Sequence, residues 1–379
     1  MKIVTIDDQT LVLLSVEKKL SDLGYEVHTA KTGQGGVALI DQINPDLVIV
    51  DINLRHMSGL DIAKYVKDSP NLNSKVMIMS GETQEETIIK GFNLGADDFM
   101  KKPVSLNEIV ARVRKLIGEP NDKKEATHEN DSNGLIREKC IGVVIPCYNE
   151  EDRLLSDEFT EFVYANLGYH LCFVNDGSTD KTLEVLNKLS KGREDYISVY
   201  DCPKNGGKAE AVRLGMLHLA KNIELDYIGF LDADLSTDFK DFDDLVKTIE
   251  STNYKIVSGS RISRMGANIN KQSARQLISL TINFIIQKIL GMKFKDTQCG
   301  AKIIDKDVIP LLFEKKFITR WLFDVEMFLR LKKKYGEEAK QLICEQPLKR
   351  WVHADGSKLS MKDSLKIAFQ LTKIATHYR

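Results

Sequence analysis

Short apolar runs rich in β-branched residues recur along the chain, each followed by a stretch of helical period. KIVTI, DLVIV and KVMIM lie in the first third, and IGVVIP, LCFVND, YIGFLDAD and KIVSGS lie beyond residue 138. Strand-sized runs alternating with amphipathic stretches predict mostly parallel sheets covered by helices, in both halves. Between the halves, PNDKKEATHENDSNGLIRE (residues 120 to 138) is polar and nearly free of aliphatic side chains before Leu135. Such a segment cannot build a core and reads as a linker. The expected organisation is α/β throughout: a domain over 1–119, a polar linker over 120–138 and a second domain over 139–379. A length of 379 residues favours two cores over one.

In parallel sheets ligands bind beyond the carboxyl ends of the strands, so acids placed there carry chemical information. IVTIDD ends one strand with Asp7 and Asp8, and DLVIVD ends another with Asp51. Any one of these could cap a helix or open a turn. Together, three desolvated carboxylates repel unless a divalent cation sits among them, and magnesium is the expected resident. VMIMSG adds Ser80 at a third strand end, and DDFMKKP adds Lys102 before Pro103, with Lys101 beside it. A metal, a carboxylate nucleophile, a hydroxyl and an ammonium make a site able to accept a phosphoryl group.

On these residues, positions 1 to about 118 resemble a response-regulator receiver domain along their whole length. The resemblance implies a flavodoxin-like sheet of five parallel strands. Asp51 would be the phosphoacceptor, Asp7, Asp8 and Asp51 the Mg2+ ligands, and Ser80 and Lys102 the phosphoryl contacts. Phe99 falls at the family's aromatic switch position, with simple packing as the alternative. A sensor histidine kinase is the implied partner.

The second half repeats the design. VVIPCYNEE leaves a strand through Pro146 into a loop with Tyr148, Asn149 and Glu150, and LCFVNDGSTD places Asp176 in a turn before a helix. PKNGGKAEA sets paired glycines and Lys208 ahead of another helix, where backbone N–H groups could approach an anion. The spacing is not that of a phosphate-binding G-x-x-x-x-G-K-[ST] loop. FLDADLS puts Asp232 and Asp234 one residue apart; alternation along a strand would turn both to the same side, where they could share a metal. An isolated D-x-D also suits a pair of solvated loop acids.

Taken in order, IPCYNEE, VNDGSTD, NGGKAEA, FLDADLS, GSR and DTQCGAKI resemble family 2 glycosyltransferases of the GT-A fold, a Rossmann-like mixed sheet. DTQCGAKI, RWLFDVEMFLRL and WVHADGSKLS resemble the dolichyl- or polyprenyl-phosphate glucosyl- and mannosyltransferase branch. The resemblance implies that Pro146, Tyr148, Asn149, Glu150 and Asp176 hold the nucleoside of a nucleotide sugar of the UDP-glucose or GDP-mannose class. Asp232 and Asp234 would hold Mg2+ or Mn2+ on its diphosphate, with Lys208, Arg261 and Arg275 as nucleotide-sugar and phosphate contacts. Asp296 and Asp324 are the catalytic candidates on the acceptor side, and His353 a late metal or phosphate contact. For Arg320, Asp324 and Glu326 a core ion pair is the alternative.

A net charge of −1 gives no field for gathering nucleic acid, and the second half is too long and acidic for a small basic DNA-binding output. Six cysteines without a C-x-x-C pair point to buried thiols in a reducing cytoplasm. No signal-peptide pattern opens the chain, and QLISLTINFIIQKIL (276 to 290) is too short to span a bilayer, though apolar enough to lie on one or under another helix. The expected protein is a cytoplasmic two-component regulator, peripheral at the inner membrane face if its acceptor is polyprenyl phosphate. A second receiver is a candidate partner for homodimerisation. Its output is a metal-dependent inverting glycosyltransferase; the alternative is a nucleotide-sugar sensor or partner-recruiting module without turnover.

Overall fold

The computed structural model describes residues 1–81, 84–120, 135–222, 224–261, 268–269, 273–351 and 361–378; at 268–269, 273–281, 351, 361–366 and 368 it describes the backbone alone. The chain divides into two compact units, Met1–Cys140 with Thr160–Tyr169, and Ile141–Phe159 with His170–Arg379.

In the first unit the elements run β1 (Lys2–Ile6), α1 (Thr10–Asp22), β2 (Glu26–Ala30), α2 (Gly33–Ile43), β3 (Leu47–Asp51), α3 (Gly59–Asp68), β4 (Lys75–Ser80), α4 (Glu85–Asn93), β5 (Asp98–Lys101), β6 (Val104–Ser105) and α5 (Leu106–Ile117). The sheet order is β2-β1-β3-β4-β5, every pair parallel. Its strands are apolar at consecutive positions because both faces are covered. Val4, Ile6, Val48, Val50, Val76 and Ile78 join Ile40, Ile62 and Val66 in one core cluster. The alternate positions Ile3, Ile49 and Met77 are equally buried on the opposite face. Thr32, Ser58 and Ser105 cap α2, α3 and α5, each accepting a backbone N–H of the first turn.

The next strand, β7 (Leu135–Cys147), corrects the linker boundary. Residues 121–134 lie outside the described residues, but 135–138, expected at the end of the linker, begin a strand whose Leu135 and Ile136 pair antiparallel with Ser105 and Val104. Ile136 is fully buried, and that apolar pairing is what ends the polar segment earlier than composition suggested.

After β7 the chain continues with α6 (Ser156–Ala165), β8 (Asn166–Asn175), α7 (Thr182–Ser190), β9 (Ile197–Asp201), α8 (Lys208–Leu219), β10 (Tyr227–Leu231), α9 (Phe239–Glu250), β11 (Ile256–Ser260) and β12 (Asn268–Ile269). Then follow α10 (Ser273–Leu290), β13 (Ala301–Asp305), α11 (Ile309–Phe313), α12 (Phe323–Tyr335), β14 (Ile343–Pro347), β15 (Arg350–Trp351) and α13 (Met361–His377). The main sheet runs β14-β11-β13-β10-β7-β8-β9. It is mixed, because β13 lies antiparallel to both β10 and β11 while β7–β10, β8–β9 and β11–β14 are parallel. Successive strands β7, β8 and β9 step one way and β10 returns to the other side of β7, which creates a crevice at the carboxyl ends of β7 and β10.

Phe173 is fully buried on β8, edge-on to Phe159 at 5.0 Å between centroids. Phe173→Ala should cost the second unit about 3–5 kcal/mol. In urea unfolding followed by circular dichroism, one component should move to lower urea and the other stay in place.

Candidate functional site

In the first sheet the strand order reverses between β1 and β3, so Asp7, Asp8 and Asp51 meet at one crevice. Their ligand oxygens lie within 4.8 Å of one another, with Asp7 and Asp51 buried and Asp8 partly exposed, a donor set suited to a hard divalent cation. Lys102 Nζ reaches Asp7 Oδ2 at 2.9 Å and Asp51 Oδ2 at 3.0 Å. Its neighbour Lys101 is exposed, which decides between the two ammoniums. Burial pushes the Asp7 carboxyl up to about 6, against the pull of Lys102 and with the repulsion of Asp51. Burial would lower the Lys102 ammonium, but Asp7 and Asp51 outweigh it and hold the group charged. Ser80 is fully buried at the end of β4. Phe99 packs against the core cluster, its ring 6.5 Å from that of Phe92.

Three further residues stand at this crevice that the sequence did not point to: Asn53, Gly81 and Glu138. Asn53 Nδ2 donates to Glu138 Oε1 at 3.0 Å, and Gly81 N donates to Glu138 Oε2 at 2.8 Å. Glu138 was hidden by its place in a segment read as linker.

At the second crevice, Tyr148 is exposed at the rim and Pro146 half-buried. Asn149 takes a left-handed backbone (φ 54°), which Asn tolerates, and its Oδ1 accepts Thr179 N at 2.9 Å while its own N–H donates to Ser178 Oγ. Burial raises the Glu150 carboxyl; Arg153 opposes this and Asp234 and Asp180 reinforce it. Asp176 is buried, and its two oxygens accept Gly206 N and Gly207 N, each at 2.8 Å. The amides expected to approach an anion therefore hold the Asp176 carboxylate, which fixes the loop that presents Lys208.

Asp232 and Asp234 do not lie on a strand. Pairing of β10 with β13 stops at Leu231, and a turn closed by Leu235 N to Asp232 O at 3.2 Å follows, with Leu235 itself left-handed at φ 48°. The alternation expected for them does not apply. Asp232 is ion-paired with Lys208, and Asp234 Oδ1 accepts Ser236 N at 3.0 Å and Ser236 Oγ at 2.7 Å. A Cβ added at Gly300, in DTQCGAKI, would run into the Asp232 carboxylate.

Arg261 grips Asp296 through Nε (2.7 Å), one terminal nitrogen (2.8 Å) and its backbone N–H (2.9 Å), and Gln298 N donates to Asp296 Oδ1 at 3.2 Å. Burial would raise the Asp296 carboxyl, but the Arg261 hydrogen bonds prevail and hold it below the usual range. A carboxylate so committed is a poor base, and the guanidinium expected to be open to phosphate already has a partner. Asp324 forms a buried pair with Lys302, 2.6 Å from its Oδ1, and burial raises its carboxyl. Lys208 and Asp232 also act electrostatically on Asp324, and Asp232 acts on Arg261, which makes these charges one cluster. Glu326 is fully buried and accepts Ile318 N and Thr319 N, both at 2.9 Å. It shapes the loop carrying Arg320, whose stem runs beside Gly207.

Lys302 and Glu345 were not anticipated. Lys302 is a charged residue set inside the otherwise apolar run AKII, an anomaly that a reading of strands could have used. Glu345 accepts Asp296 N at 2.6 Å and Ser260 Oγ at 2.8 Å, and nothing in its local sequence marks it. The side chain of Arg275 and all of His353 lie outside the described residues. The run 276–290 belongs to α10, where Ile286 and Leu290 are buried and Phe284 is 60% exposed. Among the described residues no helix is long and apolar enough to cross a membrane, and all six cysteines are free thiols.

Comparison with known proteins finds a family for each half of the chain. A model of the response regulator receiver domain matches residues 3–114, and one of glycosyl transferase family 2 matches residues 142–313. A Trichomonas vaginalis protein, dolichyl-phosphate beta-glucosyltransferase ALG5A, is 31% identical over 253 residues, covering 63% of this chain and 74% of that protein. The Drosophila melanogaster dolichyl-phosphate beta-glucosyltransferase is 32% identical over 235 residues, covering 58% and 69%. The chain belongs to glycosyl transferase family 2. To this glycosyltransferase is joined a receiver domain that is 33% identical over 117 residues to the cell cycle transcriptional regulator CtrA of Caulobacter vibrioides, covering 31% of this chain and 50% of that protein.

Two outcomes follow from this geometry. A folded Asp7 keeps its proton up to about 6, against 3.8 when unfolded, so its contribution to stability is complete below 3.8 and lost as pH rises through 6. In chelator-treated protein the stability of the first unit relative to Asp7→Asn should fall by on the order of 2 kcal/mol over that window, with magnesium at pH 7 opposing the loss. Denaturant melts at a series of pH values measure it. In the transferase, Gly300→Ala should displace Asp232 and lower transfer at least about a hundredfold, with little change in melting temperature.

Proposed function

We propose that this chain is a phosphorylation-controlled hexosyltransferase. It moves a sugar from a nucleotide sugar of the UDP-glucose or GDP-mannose class to a polyprenyl-phosphate acceptor, working at the cytoplasmic face of a membrane. The observation that carries the reading is the charge cluster at the carboxyl ends of β7 and β10. There, Asp232 with Lys208, Asp296 with Arg261 and Asp324 with Lys302 stand within electrostatic reach of one another. The names of the relatives, dolichyl-phosphate beta-glucosyltransferases, support the acceptor class.

Asp232 and Asp234 are the carboxylates that would hold Mg2+ or Mn2+; bound there, the cation neutralises the departing diphosphate. Lys208 exchanges its pairing with Asp232 for a phosphate oxygen as the donor enters. Pro146, Tyr148, Asn149 and Glu150 form the rim for the nucleoside, and Asp176 supports it from below through Gly206 and Gly207. Asp296 acts as a positioning residue that aims Arg261 at phosphate. No strong base is needed, because an acceptor phosphate is already ionised. Its oxygen forms a bond to the sugar C1 while the C1–O bond to the diphosphate breaks, the electron pair leaving on the nucleoside diphosphate, with inversion at C1. Asp324 and Lys302 keep the floor of the site charged and rigid. In the receiver, Asp51 accepts a phosphoryl group from a phosphohistidine of a sensor kinase, whose P–N bond breaks; Asp7, Asp8 and Asp51 would hold Mg2+, which would offset the charge of the phosphoryl group, and Lys102 and Ser80 contact its oxygens.

Screening UDP- and GDP-sugars with manganese or magnesium and polyprenyl phosphate should reveal transfer from one donor class. Asp232→Ala should lower its kcat by about a hundredfold or more while leaving phosphoryl uptake from acetyl phosphate intact. Asp51→Ala should abolish that uptake. Donor binding without turnover under every condition would contradict the reading.

A further inference from the structure

Glu138 sits at the ends of β3 and β4, beside the strand end that carries Asp51. Its carboxylate takes the Gly81 backbone N–H at 2.8 Å and the Asn53 side-chain amide at 3.0 Å, two donors that flank the ends of β4 and β3. It is also among the negative charges that keep Lys102 protonated. Gly81 leaves the space it fills, since a Cβ there would lie 2.5 Å from Glu138 Cγ and Cδ. The backbone around Glu138 is tied to the same unit. Its carbonyl accepts Gln9 Nε2. Leu135 and Ile136 pair with β6, and the Arg137 guanidinium lies 5.3 Å from the centre of the Tyr169 ring.

We propose that Glu138 is an internal stand-in for the phosphoryl group, and that phosphorylation of Asp51 expels it and releases the start of β7. The proposal rests on the reading of Asp51 as phosphoacceptor. When acetyl phosphate is the donor, the P–O bond to the acetyl group breaks, a P–O bond to an Asp51 carboxylate oxygen forms, and acetate leaves with the electron pair. The product carries close to two negative charges and three acceptor oxygens. Glu138 offers one charge and two oxygens to the Gly81 and Asn53 donors at the ends of β4 and β3, next to Asp51. A phosphoryl group on Asp51 and the Glu138 carboxylate then compete for the same end of the crevice, where like charges in a partly desolvated site repel. The unphosphorylated crevice is thus already occupied, and its occupant belongs to a strand that leads, from Ile141 to Cys147, into Tyr148, Asn149 and Glu150 of the transferase rim. Loss of the Glu138 contacts is a local event with a direct covalent path to that rim.

The full-length protein, Glu138→Ala and Glu138→Gln should be compared for phosphoryl uptake from acetyl phosphate by intact mass, and for hydrogen exchange with and without magnesium beryllofluoride. Initial uptake should be about tenfold faster in Glu138→Ala, the factor that corresponds to ~1.4 kcal/mol of competing interaction, and faster in Glu138→Gln as well. Beryllofluoride should raise exchange across 135–140 in the unaltered protein. In Glu138→Ala that exchange should be raised already and respond no further. Unchanged exchange in β3 establishes that each variant is folded, and Glu138→Gln keeps the size of the side chain. Equal uptake by the unaltered protein and both variants overturns the proposal, as does exchange across 135–140 that ignores beryllofluoride. Absence of uptake in all three proteins overturns instead the phosphoacceptor reading on which it stands.

Discussion

A carboxylate at the end of a buried parallel strand has lost most of its water and regains stability only from a counter-charge or from hydrogen bonds aimed at it. Asp7 and Asp51 are both buried, and the ammonium they share belongs to Lys102, brought in from the loop after β5. The second sheet answers the same constraint in three ways: Lys208 against Asp232, Lys302 against Asp324, and Arg261 in a fork on Asp296. Where these charges stand is dictated by topology, since each sheet reverses its strand order beside the crevice that holds them.

Pairs buried in this way add little to stability compared with apolar residues of the same size. They are better understood as preorganisation: groups fixed before a phosphoryl or diphosphate arrives, so that little rearrangement accompanies reaction. The arrangement is also economical with hydrogen bonds. Asp176 fixes the Gly206–Gly207 loop, Glu326 fixes the loop at Ile318 and Thr319, and Glu345 fixes the chain entering Asp296. Each of these acids accepts backbone N–H groups, with a hydroxyl added at Glu326 and Glu345, and thereby positions a different charged side chain. Glu138 belongs to the same class in the receiver, except that the donors it satisfies are the ones a modification of Asp51 would claim.

Much of this was legible in the sequence, because parallel strands buried on both faces write themselves as uninterrupted β-branched runs and their chemistry follows at the next residue. Asp7, Asp8, Asp51, Ser80 and Lys102 were read that way, and the structure brings Asp7, Asp8, Asp51 and Lys102 together; the α/β organisation of both halves was read likewise. The reading weakened where an outcome depends on a partner distant in sequence. DADL looked like the end of a strand, but pairing with β13 stops at Leu231 and the two aspartates fall in a turn. Asp296 read as a residue that accepts or positions an acceptor proton, and in the structure Arg261 holds both its oxygens. Glu138 was concealed by charged neighbours that gave its segment the composition of a linker, although Ile136 beside it is buried. Glu345 carries no local signal, since its partners, the Lys295 and Asp296 backbone N–H groups and the Ser260 hydroxyl, lie far away in the chain.

Control of sugar transfer by phosphorylation requires that the two crevices communicate. The most direct measurement is the rate of sugar transfer at saturating donor as a function of the phosphorylated fraction, read by intact mass on the same samples during loading and decay. The account predicts a rate that moves in proportion to that fraction and returns as the phosphoryl group is lost. A transfer rate indifferent to the state of Asp51 would contradict it, leaving a receiver and a transferase that share only a chain.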